Sequence, residues 1–135
     1  MTDRDGAPLR ARPWAWVAAV AWMLVIFWAS SRSEMPGGLR LPSVPLADKV
    51  VHAFIFGVLG ALLTLGSGRP RLALILTALY GATDELHQLT VGGRDADPLD
   101  WVADVIGGAA GAWLALTWGR RAARGSGREA ERRGR

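Results

Sequence analysis

Apolar residues in this chain run in unbroken stretches; they do not alternate with polar residues at the helical or the strand period. Four such runs cover residues 13–29, about 50–65, 72 to about 89, and 101–118. Each is about 16–18 residues long, roughly 24–27 Å as α-helix, at the short end of what crosses a bilayer. A soluble bundle needs a polar face on every helix, and these runs have almost none. The pattern predicts an all-α fold, a four-helix transmembrane bundle. Turn residues separate the runs. Residues 66–70 hold Gly66, Ser67, Gly68 and Pro70, residues 30–47 hold Pro36, Gly37, Gly38, Pro42 and Pro45, and residues 90–99 hold Gly92, Gly93 and Pro98. The first run has the flanks of a cleaved signal peptide, with Arg4, Arg10 and Arg12 before it and Ala29 and Ser31 after it. Three further runs follow and it is long for a signal core, so it reads as a membrane helix.

Charge adds an orientation. Half of the 28 charged side chains fall in residues 1–12 and 119–135, and the 106 residues between them carry the other half. If the spans alternate from a cytoplasmic N-terminus, twelve basic residues lie inside and four (Arg32, Arg40, Lys49 and Arg94) outside. The positive-inside rule then places both termini in the cytoplasm. The divisions are a cytoplasmic arm over residues 1–12, a membrane domain over 13–118 and a basic tail over 119–135. Low complexity reads that tail as disordered, lying on anionic lipid. The pI near 10.9 comes largely from it, so basicity reflects membrane topology and no nucleic-acid partner is expected. With no cysteine, disulfides, thiol chemistry and thiolate metal sites are excluded.

Small residues recur every fourth position: Ala53, Gly57 and Ala61 in the second run; Ala73, Thr77 and Gly81 in the third; Ala103, Gly107, Gly111 and Ala115 in the fourth. Helices in lipid pack by close backbone approach over such stripes. The stripes serve packing within the chain or, through Gly107 and Gly111, a homodimer.

The polar residues gather at one level. Asp48, Lys49 and His52 open the second helix, Asp84, Glu85, His87 and Gln88 close the third, and Asp100 and Asp104 open the fourth. All three ends face outward. Asp48 and His52, Asp84 and Gln88, and Asp100 and Asp104 are each four apart and share a helix face. Asp48 and Asp100 also read as N-caps, and Asp95 and Asp97 as solvated loop residues. Caps do not account for Asp84, Glu85 or Asp104. An ionisable group within a span is costly, about 2.5–3.5 kcal/mol at a helix centre, and is a functional candidate by default. Asp84 and Glu85 also lie near a helix C-terminus, where the dipole disfavours anions. Lys49, His52 or Arg94 is therefore expected within direct or one-water reach of Asp84 or Glu85, with Asp100 or Asp104 bordering the same recess. His87 is either part of this group or an idle interfacial residue.

At these residues the chain resembles the VanZ-like family of small bacterial membrane proteins. The matching elements are Ser30-Ser31 after the first span, Asp48-Lys49-Val50-Val51-His52 opening the second, Asp84-Glu85-Leu86-His87-Gln88 closing the third, then Gly92-Gly93-Arg94, Asp100, Gly107 and Gly111. Asp104 departs from the pattern, standing where the family has Asn. The resemblance covers about residues 14–118. It implies a multi-pass protein of the bacterial cytoplasmic membrane with an envelope role. The family is named for a protein that confers low-level teicoplanin resistance.

Three functions compete. The first is binding of an envelope lipid headgroup or lipid-linked cell-wall precursor by Asp48, Lys49, His52, Asp84, Glu85, Gln88, Arg94, Asp100 and Asp104. The second is an intramembrane hydrolase or transferase, with His52, Asp84 and Glu85 as catalytic candidates and a divalent cation as one form of assistance. The third is a structural or assembly role, with the cluster as a closed polar lock. No spacing matches a known metal signature, so no metal or cofactor is assigned from sequence.

Overall fold

The computed structural model describes residues 9–32, 46–93 and 95–133, with side chains as far as residue 122. Among the described residues it is all-helical, with four helices: α1 Pro13–Ser30, α2 Ala47–Ser67, α3 Pro70–Gln88 and α4 Pro98–Arg133. Three helix starts carry proline in the first turn, where the missing N–H costs nothing. Asp97 caps α4, its Oδ1 accepting the Leu99 N–H at 2.9 Å. The α2–α3 turn closes on Gly68 at φ 67°, its N–H donating to the Thr64 carbonyl.

Pro13–Ser30, Ala47–Ser67 and Pro98–Ala122 are long and apolar enough to cross a membrane, with mean hydropathies of 1.6, 2.0 and 1.3. The protein is accordingly a membrane protein. Helix α3 has the length but carries Arg71, Asp84 and Glu85, and it turns the two acids inward. Its exposed residues include the apolar Leu72, Ile75, Leu79 and Leu86.

Helix α4 lies in the groove between α2 and α3, and small residues make that possible. A Cβ on Gly107 would overlap the Ala53 carbonyl, and one on Gly111 the Gly57 carbonyl. Gly108 lies against the Thr77 side chain of α3. Ala103, Gly107, Gly111 and Ala115 are all buried, so the stripe serves packing within the chain. Of the two readings of the stripe, packing within the chain is the one seen, with α2 seated on Gly107 and Gly111. Helix α1 rests mainly on α2 through Ala15, Ala19 and Ile26, and indole Nε1 of Trp22 donates to the Ile55 carbonyl at 2.9 Å. Tyr80 of α3 donates its hydroxyl to the Met23 carbonyl at 2.6 Å.

One boundary differs from the sequence reading. Helix α4 continues through Arg133, so residues 119–133 of the segment read as a disordered tail are helical. Compositional bias misled here, because arginine, alanine and glutamate are strong helix formers whatever their complexity. At about 54 Å, α4 is longer than a hydrocarbon core is thick.

Candidate functional site

The inner faces of α2, α3 and α4 meet at one end of the bundle in a polar cluster graded in burial. At its exposed edge, the ammonium of Lys49 contacts Asp48 Oδ2 at 2.8 Å, Asp100 Oδ1 at 2.7 Å and Asp97 Oδ2. The Lys49 side chain is only 16% exposed, against 51% for Asp48 and 39% for Asp97. The ammonium beside Asp97 holds that loop carboxyl below its ordinary range. Deeper, His52 Nδ1 lies 3.0 Å from Oδ1 of Asp104, which has no solvent exposure. That contact fixes the imidazole ring through Nδ1 and directs Nε2 toward α4. Nε2 lies 3.9 Å from Asp100 Oδ2. The imidazole plane runs parallel to the Phe56 ring one turn on, at 6.5 Å between centroids.

Glu85 enters from α3. Its Oε2 accepts the Asp97 backbone N–H at 2.8 Å, which ties the α3–α4 loop to the cluster. Its Oε1 is buried and has no hydrogen-bond partner, as is Oδ2 of Asp104. Donor atoms of His52, Glu85 and Asp100 all lie within 4.8 Å of one another.

Asp84 belongs to a second network at the α1–α3 contact. Its Oδ2 accepts from Ser30 Oγ at 2.9 Å and Gln88 Nε2 at 3.0 Å, and all three residues are buried. Nearby, Ser31 and His87 Nε2 are 2.9 Å apart, and the His87 ring stacks on Phe27 with centroids at 4.4 Å. His87 is thus part of the α1 contact.

The predicted residues therefore separate into two groups. Lys49, His52, Glu85, Asp100 and Asp104 converge, with Glu85 and His52 close enough for one water to bridge. Asp48 joins at the exposed edge. Asp84 and Gln88 do not join them. Among the described residues, neutral donors on two helices satisfy Asp84, while Lys49 and His52 turn to Asp48, Asp97, Asp100 and Asp104. Neither Asp48 nor Asp100 is a cap. Helix α2 begins after Leu46, with no side-chain cap, and Asp97 caps α4. Arg94 lies outside the described residues. Sequence reasoning missed Asp97 and Ser30. The Asp97-Pro98 pair was the available signal for a cap, since Asp favours that position and Pro the next. Ser30 directly follows an apolar run, with nothing local to mark its partner.

No curated protein and no solved structure matches the chain. The VanZ/LLP1 family model matches residues 14–119, a stretch that includes all four helices' apolar portions and every residue of both polar networks, and the chain belongs to the VanZ-like family.

Proposed function

We propose that this VanZ-like membrane protein binds the polar headgroup of an envelope lipid, or of a lipid-linked cell-wall precursor, at the outer face of the bacterial cytoplasmic membrane. On this reading all four helices cross, both termini are cytoplasmic, and the cluster faces outward. The observation that carries it is the polar cluster itself: ion-paired, partly exposed groups at Lys49 leading to buried acceptors at Glu85 and Asp104. Among the described residues, five carboxylates (Asp48, Glu85, Asp97, Asp100 and Asp104) gather about one lysine and one histidine. Glu85 Oε1 and Asp104 Oδ2 have no donor of their own. Such a cluster favours a headgroup rich in donors, an amine or sugar hydroxyls, because buried acceptors left unmet cost about 1–3 kcal/mol each.

Native mass spectrometry tests this. Phosphatidylethanolamine and a polyprenyl-linked sugar should be retained in preference to diacylglycerol, and Glu85→Gln with Asp100→Asn should abolish the preference. Equal retention of diacylglycerol would overturn the reading. A glycopeptide-resistance effect is one downstream form of this role, tested by teicoplanin susceptibility on expression. The Asp104–His52 pair favours a second reading, in which His52 is the general base of a hydrolase or transferase. Release of headgroup from the same lipids, lost in His52→Ala, would support it.

A further inference from the structure

The committed and free atoms of the deep residues divide in a consistent way. His52 commits Nδ1 to Asp104 and leaves Nε2 free. Asp100 pairs Oδ1 with Lys49 and turns Oδ2 toward His52 Nε2 at 3.9 Å, too far for a hydrogen bond. Glu85 gives Oε2 to the Asp97 N–H and leaves Oε1 buried without a partner, on a residue only 8% exposed. Each side chain is therefore oriented by one atom and offers another. The three residues come from three different helices and present donor atoms within 4.8 Å of one another.

We infer that His52, Glu85 and Asp100 form a binding site for a divalent first-row transition metal ion, with Asp104 as the residue that orients His52. Ligand atoms around such an ion, each at about 2.0–2.2 Å, lie roughly 3–3.5 Å apart. The observed 3.9 Å between His52 Nε2 and Asp100 Oδ2 is within a small side-chain rotation of that. One imidazole and two carboxylates suit Zn²⁺ or Mn²⁺; Mg²⁺ and Ca²⁺ prefer oxygen alone. The carboxylate–imidazole pair of Asp104 and His52 is the arrangement that fixes the tautomer of a metal-ligating histidine. Three protein ligands leave positions open to water or a ligand oxygen. The neighbouring trio of Asp48, Asp97 and Asp100 is different, because the Lys49 ammonium already serves as its counter-ion. The inference stands independently of the lipid reading, since it concerns the ion alone.

The test uses full-length protein in detergent, freed of any affinity tag and stripped with a chelator, then titrated with Zn²⁺ and with Mn²⁺ by calorimetry. One saturable site per chain is expected. Glu85→Gln and His52→Ala should weaken binding at least tenfold, and Asp104→Asn about 10- to 100-fold through loss of orientation. His87→Ala, which touches only the α1 contact, should leave it unchanged. Should the variants fail to fold, electron paramagnetic resonance of the Mn²⁺-loaded wild type decides: coupling to one imidazole nitrogen is expected. No saturable binding, no nitrogen coupling, or equal loss in His87→Ala would overturn the inference.

Discussion

The seam between α2 and α4 gives a graded steric series from a single substitution type, Gly→Ala. At Gly92 a Cβ meets nothing within 4 Å, so Gly92→Ala should stay within about 0.5 kcal/mol of the parent. At Gly57 a Cβ would lie 3.2 Å from the Gly107 carbonyl oxygen, tight by a few tenths of an ångström. The roughly 1 kcal/mol gain in helix propensity from Gly to Ala should nearly offset that strain. At Gly107 and Gly111 the obstacle is a backbone carbonyl of α2, which cannot rotate away as a side chain would. Helix α4 must then retreat, loosening the contacts of buried Ala103, Ala112 and Ala115. Overpacking of this kind costs about 1–3 kcal/mol, and the propensity gain recovers only part of it. Thermal melts in detergent, read by tryptophan fluorescence and by size-exclusion recovery, should put Gly107→Ala and Gly111→Ala about 5 °C or more below the parent. Leu114→Ala, at a residue 58% exposed on the outer face of α4, is the second control. If the two seam variants melt with Gly92→Ala, close backbone approach is not what seats α4.

Reporter fusions after residue 118 should report a cytoplasmic location; a signal from the far side would reverse the topology and turn the cluster inward. Ser30→Ala should destabilise by about 1–3 kcal/mol, because it removes a donor from a buried carboxylate that keeps only Gln88, and denaturation in mixed micelles measures it. Glu85→Gln preserves shape and the Asp97 N–H contact, so its melting temperature should stay near the parent's while headgroup binding is lost; a joint loss would mark the cluster as a structural lock. Asp97 has a folded pKa below its ordinary 3.8, so its pairing with Lys49 adds stability above that value that is lost as pH falls through the lowered one. Asp97→Asn should therefore flatten the acid limb of the melting-temperature profile between about pH 5 and 3; an unchanged limb would show that the Lys49 pairing has no energetic weight.

The fold was legible because its signals are local. Run length, turn chemistry and the every-fourth-residue small stripes each sit within one element, and Gly107 and Gly111 announce close packing wherever they land. What they pack against is a tertiary fact, and here it was α2 of the same chain. The same division applies to the site. Their places at the ends of three helices put His52, Glu85, Asp100 and Asp104 at one level, which was enough to expect convergence. Those places could not decide which anion takes which cation. That choice goes with the glycine seam, which holds α4 against α2 and sets Asp100 and Asp104 beside Lys49 and His52. Asp84, one position before Glu85 on α3, points about 100° away around the helix and faces α1, where Ser30 was waiting.

The seam and the cluster are consequently one construction. Gly107 packs on Ala53, the residue after His52, and Asp104 lies one turn before Gly107. A Cβ on Gly81 of α3 would sit 3.0 Å from Asp104 Oδ2, so α3 also presses on this carboxylate through a glycine. Bulkier residues at these positions would open gaps between the helices where the acids lie, and water would enter to satisfy Glu85 Oε1 and Asp104 Oδ2. Close approach over small residues keeps those oxygens buried without partners and leaves their hydrogen-bonding capacity for what binds at the cluster. Asp104, held at that depth, fixes the ring of His52 through Nδ1 and leaves Nε2 3.9 Å from Asp100 Oδ2, so the seam also sets how the imidazole faces α4.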